Sequence, residues 1–528
     1  MIINGLVLAL ATMGIYLLFP TQGYRRWDSL MSATILHDWA SMPGSVIFFF
    51  AHTLVLPFSK AVSLLAPGVD PIVTVSLREI LFASLNSALL FLGLVGALGP
   101  SRAAFWLTAI TISFHGRWMF ATQGEEKEIL LFFQQITVLA TFSYLRWIKL
   151  PEWTFPFSIP FLREIVLGFL LTLSVMAHLE NGLMVITIAI VLGASAVKKR
   201  IRWSQFLMVG FSAVFLGFIW FGFLIVSING IRTLSGAFRW LFEYHATGEF
   251  ISVTPHFFNQ ALEAWSGFRR LLIGERAGEF QMAVEMTMGL GFLGITLWKA
   301  WKNHRKMTGF FMLFLGLMNA HFFFWLPWDP EQWVPTVMAG TFLVGLGWFH
   351  GKKQPGLTVL VLPVIILFLV NGFWYLRESK YFEPYRLFRV NAGQSMGIFS
   401  DRFLRSSPYP NLVTGLKPYL SHDTVVLVDQ RHLANHLRIY SLATPIDYLD
   451  QNDSALKNKY LLTQMSLVVY RPKYSTVELR AKTAAGDTVY YLTDYPRAGL
   501  VAALNAEAIP LPGTRCVDFQ LWRLKPLK

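Results

Sequence analysis

The chain has 528 residues and a mass of 60.0 kDa. Apolar residues make up 54% of it and charged residues only 14%, whereas about a quarter of a soluble domain is charged, so a soluble globular protein and a disordered chain are excluded. A single cysteine, Cys516, excludes a disulfide scaffold, and a net charge of +14 makes the side of the membrane on which the cations lie informative. The sequence predicts a mainly α-helical, polytopic membrane protein.

Apolar runs long enough to cross a bilayer recur as far as residue 376. We predict about eleven transmembrane helices, near residues 3–20, 80–98, 103–120, 129–145, 162–178, 182–197, 204–228, 283–298, 308–326, 334–349 and 357–376. The first run lacks a basic segment before it and a cleavage site after it, which is typical of a retained helix rather than a signal peptide. The apolar stretch 46–65 is interrupted by His52, Pro57 and Lys60, so we predict a re-entrant or interfacial helix, with a twelfth span as the alternative.

The basic residues predict the orientation of these helices. With the amino terminus in the cytoplasm, fourteen Lys and Arg residues lie in the inner loops, whereas the short outer loops hold only Arg117 and Lys127. The inverse orientation would violate the positive-inside rule. A twelfth span at 46–65 would reverse the side of the amino terminus and place Asp28 in the cytosol.

The remaining outer segments are long and differ in character. Residues 21–79 and 229–282 are long outer loops, and the mixture of aromatic and charged residues at Arg239–Tyr244 is typical of interfacial helices. Beyond residue 376, short apolar strands and a helical stretch predict a small α/β domain. We place the strands near 424–429, 466–470, 488–493 and 519–524, the helix at 431–440 and a stem at 391–410.

The chain is thus divided into a transmembrane domain, residues 1–376, and a stem with a soluble α/β domain, residues 377–528. No internal repeat is visible, although a transporter built from inverted repeats is expected to show weak internal symmetry. The lack of a visible repeat therefore argues against a transporter of that kind.

Ionisable and amide groups cluster at the outer ends of the predicted spans rather than within them. Four distant parts of the chain contribute: Arg25, Arg26 and Asp28; Glu125, Glu126 and Glu128; His178, Glu180 and Asn181; Trp328, Asp329 and Glu331. Their convergence on one outer face is expected of a site at the water–lipid boundary, not of a solute path through the bilayer. No histidine or cysteine spacing indicates a bound metal, and membrane topology accounts for the basic residues without nucleic acid.

Several of these segments resemble a known family. Asp28-Ser29, followed by His37 and Met42-Pro43-Gly44, resembles the first outer loop of polyprenyl-phosphate-sugar-dependent glycosyltransferases of the GT-C fold. The nearest pattern is that of the transmembrane O-mannosyltransferase branch. Residues 121–125 resemble its second acidic loop, residues 177–181 its His-x-x-Asn turn and residues 319–333 its late Trp-Asp-Pro segment.

The likeness covers roughly the first 350 residues as spaced fragments, with departures. Leu30-Met31 stands where the branch has Gly-Glu, the His-Pro-Pro-Gly turn is reduced to Met-Pro-Gly, and an acidic residue follows Glu125.

The resemblance implies an inverting transferase that moves a sugar from a polyprenyl-phosphate donor to an acceptor hydroxyl on the non-cytoplasmic face, without a cofactor. It implies that Asp28 is the general base and Glu125 a second catalytic acid. Candidates for binding the donor phosphate or substrate are Arg25, Arg26, His178, Asn181, Arg232, Arg239, Arg269 and Arg270. The stretch 46–65 and the aromatic outer loop are expected to hold the polyprenyl tail.

Each role has a structural alternative. Asp28 could be a solvated charge at the membrane interface, and Glu125 could cap a helix. His178 and Asn181 could make the hydrogen bonds of a turn, and Arg269-Arg270 could contact lipid headgroups. A transporter or lipid flippase, and a noncatalytic assembly subunit that docks a partner through its α/β domain, are the competing functions. The expected partners are membrane lipids, the sugar donor and a lipid, glycan or protein acceptor, in a bacterial inner membrane with the α/β domain on the periplasmic or extracellular side.

Overall fold

The computed structural model describes most of the transmembrane part of the chain and some of the carboxy-terminal region. The described residues are 2–18, 32–33, 35–37, 39–40, 44–48, 53–69, 71–99, 102–149, 161–241, 256–273, 278–325, 327, 329–350, 361–367, 369–370, 412, 415–419, 424–428, 467–469, 488–493, 506–511 and 520–525. The chain divides into two compact units. The first comprises residues 1–21, 47–62 and 76–390, and the second comprises residues 22–46, 63–75 and 391–528.

The regular structure in the described part of the transmembrane region is helical. Its helices are α1 (Ile2–Leu18), α2 (Gly44–Ile47), α3 (Val55–Leu65), α4 (Pro71–Leu98), α5 (Arg102–Ile112), α6 (His115–Gln123), α7 (Lys127–Tyr144), α8 (Leu162–Ala177), α9 (Asn181–Val197), α10 (Trp203–Gly222), α11 (Leu234–Leu241), α12 (Phe257–Ile273), α13 (Glu279–Phe324) and α14 (Val337–Trp348). A π-helical segment, Phe223–Ile228, continues α10, and a 3-10 segment, Pro330–Thr336, precedes α14.

Three helices of the described ranges are long and apolar enough to cross a membrane on their own: Val73–Leu98, Trp203–Ile228 and Glu279–Phe324. The last contains the two predicted spans 283–298 and 308–326, and its backbone departs from helical geometry between them, at His304. Shorter apolar helices account for several other predicted spans. The total of about eleven spans stays a prediction, because most of the final one, 357–376, lies outside the described residues.

Two helix boundaries differ from those predicted. The predicted span 103–120 is two helices, α5 and α6, because Phe114 adopts extended backbone angles between them. Helix α4 begins at Pro71 rather than near residue 80. It continues through Arg78 and Glu79 because these two side chains pair with each other, Nε to Oε1 at 2.8 Å, which reduces the cost of burying either charge.

The apolar stretch after residue 46 forms the short helices α2 and α3, with residues 49–52 outside the described ranges. The 11 residues of α3 rise about 16 Å, roughly half of a hydrocarbon core, so this helix is too short to cross a bilayer. Its Val55 and Phe58 pack against Phe82 of α4 and Phe133 of α7. This apolar contact fixes α3 beside the ends of the longer helices.

The second unit contains a five-stranded sheet. Its strands are β1 (Thr424–Val428), β2 (Leu467–Val469), β3 (Thr488–Thr493), β4 (Ala506–Ile509) and β5 (Gln520–Leu524), arranged in the order β2-β1-β3-β5-β4. Strand β1 is parallel to β2 and β3, whereas β5 is antiparallel to β3 and β4, so the sheet is mixed. The predicted helix 431–440 and stem 391–410 lie outside the described residues.

Candidate functional site

The turn between α6 and α7 holds the acidic loop that the sequence singles out. Helix α6 ends at Gln123 and is followed by the capping residue Gly124, whose left-handed backbone (φ 77°) a residue with a side chain rarely adopts. The backbone N–H of Glu125 then donates to the carbonyl of Phe120 at 3.0 Å. Helix α7 begins two residues later, at Lys127, so Glu125 and Glu126 form a tight link between two helices.

Glu79 of α4 caps the start of α7. Its Oε2 accepts hydrogen bonds from the backbone N–H groups of Glu128, at 2.8 Å, and Ile129, at 3.3 Å. These N–H groups lack acceptors within their own helix, and the carboxylate also complements the positive end of the helix dipole. Glu79 is fully buried, so it serves as an internal cap.

Arg78 ties the acidic loop to two helices. Its Nη2 donates to the carbonyl of Gly124 at 2.9 Å, directly before Glu125, and its Nη1 donates to Ser59 Oγ of α3 at 2.7 Å. With the bond from Nε to Glu79, one buried guanidinium connects α3, α4 and the loop. The planar fork of arginine donors suits this bridging.

A second buried pair joins α6 to α7. Arg117 meets Glu128 through two parallel bonds, Nε to Oε1 at 2.8 Å and Nη2 to Oε2 at 2.6 Å. Asn86 Nδ2 donates to the backbone carbonyl and Oε2 of Glu128, both at 2.7 Å. All three side chains are fully buried, and bidentate geometry makes this the strongest kind of ion pair.

Lys127 brings three distant segments together. Its Nζ lies 3.1 Å from Oε1 of Glu331 and 3.5 Å from Oε1 of Glu180, with only 2% of its side chain exposed. Burial alone lowers the pKa of this amine, but the carboxylates of Glu180, Glu331 and Glu126 outweigh it and hold the pKa above its usual range. Three of the four segments predicted to converge therefore meet at one cation.

We call the whole assembly the buried ion cluster. It consists of Arg78, Glu79, Arg117, Glu126, Lys127, Glu128, Glu180 and Glu331. It contains five acids and three bases, so at full ionisation negative charge is in excess. Burial raises the pKa of Glu126 from 4.5 to about 7, and Arg78 and Lys127 oppose this rise only in part. Burial likewise raises the pKa of Glu180.

In the predicted His-x-x-Asn segment, His178 and Asn181 make hydrogen bonds that stabilise the turn between α8 and α9. The backbone N–H of Glu180 donates to Nδ1 of His178 at 3.3 Å. Asn181 Nδ2 donates to the carbonyls of Ser174, at 3.1 Å, and Leu130, at 3.2 Å, which joins the start of α9 to α7 and α8. These contacts give His178 and Asn181 a structural role, whereas their binding of substrate stays a prediction.

The other predicted site residues fall into different places. Arg269 is buried and its Nε pairs with Glu285 Oε2 at 2.8 Å, while Arg270 is half-buried and Arg232 is exposed. Asp329 caps the 3-10 segment by accepting the backbone N–H of Glu331 at 3.1 Å. The remainder lie outside the described side chains: Arg25, Arg26, Asp28, Arg239 and Trp328. Glu125 is buried in the loop, with 1% of its surface exposed.

The structure also assigns contacts to residues that the sequence did not single out. Arg78, Glu79 and Asn86 belong to the cluster or bind it, and Lys127 is its centre. The sequence did offer one signal for them. Arg78 and Glu79 are adjacent charges of opposite sign inside a long apolar run, a pattern that indicates a buried pair. Among the described residues, no group of three or more His, Cys, Asp or Glu side chains is arranged to hold a metal ion.

No protein-family model and no curated protein sequence matches the chain. Solved structures match it in fold. The structure of ArnT from Cupriavidus metallidurans bound to undecaprenyl phosphate has a TM-score of 0.56 and 11% identity, over 99% of this chain and 98% of that chain. The apo state of the same protein gives 0.58 and 10%, with the same coverage. The Archaeoglobus fulgidus oligosaccharyltransferase has a TM-score of 0.45, too low to show a shared fold.

The chain therefore has the GT-C fold, as the sequence fragments predicted, and it is an integral membrane protein. At 10–11% identity the likeness shows the fold alone. The O-mannosyltransferase branch stays a prediction.

Proposed function

We propose that the chain is an integral membrane glycosyltransferase that takes a sugar from a polyprenyl-phosphate donor. The observation that carries this proposal is the fold match to ArnT bound to undecaprenyl phosphate, which extends over nearly the full length of both chains. A fold match that includes the carboxy-terminal region as well as the helices supports a shared kind of reaction better than a match of helices alone. The order of the acidic segments in the sequence supports the same reaction.

The reaction is proposed to run by inversion on the non-cytoplasmic face. The acceptor hydroxyl gives its proton to the carboxylate of Asp28, and its oxygen attacks the anomeric carbon of the sugar. The bond from that carbon to the phosphate oxygen breaks, and the polyprenyl phosphate leaves with the electron pair. The acceptor is a lipid, glycan or protein hydroxyl, and the step needs no cofactor because the donor carries its own leaving group.

Negative charge grows on the departing phosphate and requires cations nearby. The proposed ligands are Arg25, Arg26, Arg232, Arg239 and Arg270. Arg269 is the weakest candidate of the predicted set, because Glu285 already engages its Nε. His178 and Asn181 are proposed to shape the substrate pocket through the turn that they stabilise.

The buried ion cluster supports this chemistry indirectly. It fixes the backbone on both sides of Glu125, through Gly124 before it and Lys127 after it. A loop anchored in this way holds a carboxylate in one position, as a catalytic group requires. We therefore propose Glu125 as a second catalytic carboxyl group beside the base Asp28.

The test is sugar transfer by the full-length protein in proteoliposomes, using a panel of undecaprenyl-phosphate-linked hexoses and pentoses. Release of undecaprenyl phosphate is measured in the presence of membrane extract as a source of acceptor. Asp28→Asn is expected to reduce turnover by at least about a hundredfold, the usual share of a general base. The matched control is Glu279→Gln, which removes an exposed carboxylate at the start of α13.

Normal transfer by Asp28→Asn, inserted at wild-type levels, would remove Asp28 as the base. Absence of transfer by the wild-type protein with every donor, together with movement of the lipid donor between leaflets, would instead favour a flippase. Activity that appears only with a co-purifying protein would favour an assembly subunit.

A further inference from the structure

The connection between α9 and α10 carries a dense group of cations beside a cavity. Lys198, Lys199, Arg200 and Arg202 occupy four of five consecutive positions, and all four side chains are exposed. None of the four makes an ion pair with any residue that the structure describes. The cavity has a volume of about 430 Å³, and its lining includes Lys199, Arg200, Arg202 and Trp203.

The walls of this cavity are fixed by hydrogen bonds. Gln205 accepts the backbone N–H of Arg202 on its Oε1 at 2.9 Å and donates from Nε2 to Glu164 Oε1 at 2.8 Å. The residues that line the cavity include three cations and no acid, and Glu164, which Gln205 binds, also accepts the hydroxyl of Tyr144 at 3.0 Å. The positive charge of the lining therefore exceeds the negative charge.

The backbone of the turn also favours an anion. Helix α10, 20 residues long, begins at Trp203. The backbone N–H of Gln205 already donates to the carbonyl of Arg202 at 3.0 Å, and the positive end of the helix dipole favours negative charge nearby. Lys199 adopts a left-handed backbone (φ 55°), a conformation that glycine adopts at much lower cost. A lysine at that position supplies a charge to the cavity at the expense of backbone strain.

An apolar stripe runs from the cavity along α10. Trp203, Leu207, Phe211, Val214 and Phe218 are spaced three or four residues apart, and more than half of each side chain is exposed. Residues at this spacing lie on one face of a helix. A long apolar face that begins at a cationic cavity matches a molecule with an anionic head and hydrocarbon chains.

We propose that this cavity, the basic lipid site, binds the phosphodiester headgroup of an anionic phospholipid whose acyl chains lie along the exposed face of α10. The cations supply the affinity for the phosphate, and the stripe distinguishes a lipid from a soluble phosphate. By the predicted orientation, the site lies on the cytoplasmic side, where anionic lipid headgroups attract clusters of Lys and Arg. It is independent of the proposed glycosyl transfer.

The test is native mass spectrometry of the full-length protein in detergent, titrated with phosphatidylglycerol. The site variant is Lys199→Gly with Arg200→Gln. The matched control is Arg146→Gly with Lys149→Gln at the end of α7, because Arg146 is also an exposed cation with a left-handed backbone (φ 54°) and the same charges are removed. Phosphatidylcholine, which has the phosphate without the net charge, and inorganic phosphate are the comparison ligands.

We expect one phosphatidylglycerol to bind more tightly than phosphatidylcholine and to resist displacement by millimolar inorganic phosphate. The site variant is expected to weaken that binding roughly 25-fold, about fivefold for each cation removed, while the control variant leaves it unchanged. Equal loss in both variants would show nonspecific attraction and overturn the proposal. Displacement by inorganic phosphate at the same concentration as the lipid would show a soluble-anion site and overturn the lipid assignment.

Discussion

The buried ion cluster and the basic lipid site place cations in opposite surroundings. Arg117 is fully buried and paired bidentately with Glu128, whereas Arg200 is exposed and has no ion pair with a described residue. A buried charge must be compensated by protein groups, because water cannot reach it. An exposed charge keeps its hydration, so it destabilises the fold little, and it stays available to bind an anionic ligand. The same residue type thus stabilises the helix bundle in one region and offers a binding surface in the other.

The largest effect is expected where a buried pair loses one partner. Arg117→Met leaves the buried carboxyl of Glu128 without its cation, and we expect a loss of about 3–5 kcal/mol in the free energy of unfolding. Arg200→Met, an exposed change of the same type, should stay within about 0.5 kcal/mol. Unfolding of the detergent-solubilised protein, followed by circular dichroism, measures both. Equal losses would remove the distinction between the two regions.

The fold was largely predictable because membrane-spanning helices are long and uniformly apolar. Helices α8 (Leu162–Ala177) and α9 (Asn181–Val197) begin and end within one residue of the predicted spans 162–178 and 182–197. Strand β4 (Ala506–Ile509) was missed because alanine and glutamate have low β-propensity and only its pairing with β5 forms the strand.

The candidate site was predictable only in outline. Polar residues at helix ends indicated which segments converge, but a sequence does not show which charges pair. Lys127 was counted as a loop cation, although Glu180 and Glu331 come from chain positions 53 and 204 residues away. Pairings at such distances are a consequence of helix packing. The roles of Asp28 and Glu125 stay predictions.

The next effect concerns Lys127 and depends on pH. Lys127→Met leaves the carboxylates of Glu180, Glu331 and Glu126 together without their cation. We expect a loss of about 2–3 kcal/mol at pH 8 that becomes smaller at pH 5, because burial raises the pKa of Glu126 and of Glu180 and protonation then removes part of the negative charge. Thermal unfolding at the two pH values measures the difference. A loss that is independent of pH would mean that the amine contributes packing rather than charge.

Glu126 is expected to produce an effect of similar size and opposite sign. Its pKa is about 7 in the folded protein and 4.5 in the unfolded chain, so between these values the folded state holds the extra proton. Stability from this group therefore falls as the pH rises from about 4.5 to about 7. Glu126→Gln removes that dependence, and we expect the variant to gain about 2–3 kcal/mol relative to wild type as the pH rises from 5 to 8. If the free energy of unfolding depended on pH in the same way in both proteins, Glu126 would not be a buried carboxyl that binds a proton in this range.

The smallest effect distinguishes backbone strain from charge in the basic lipid site. Lys199 and Arg146 both have a left-handed backbone, which costs a residue with a side chain about 1–2 kcal/mol. Glycine relieves this strain but loses more entropy on folding, so Lys199→Gly and Arg146→Gly should each raise the free energy of unfolding by roughly 0.5–1 kcal/mol in lipid-free detergent. Lys199→Ala removes the charge and keeps the strain, and should give no gain. If Lys199→Ala stabilised the protein as much as Lys199→Gly, repulsion among the four cations would be the cause. These charges would then interact with one another, although none of them pairs with an acid that the structure describes.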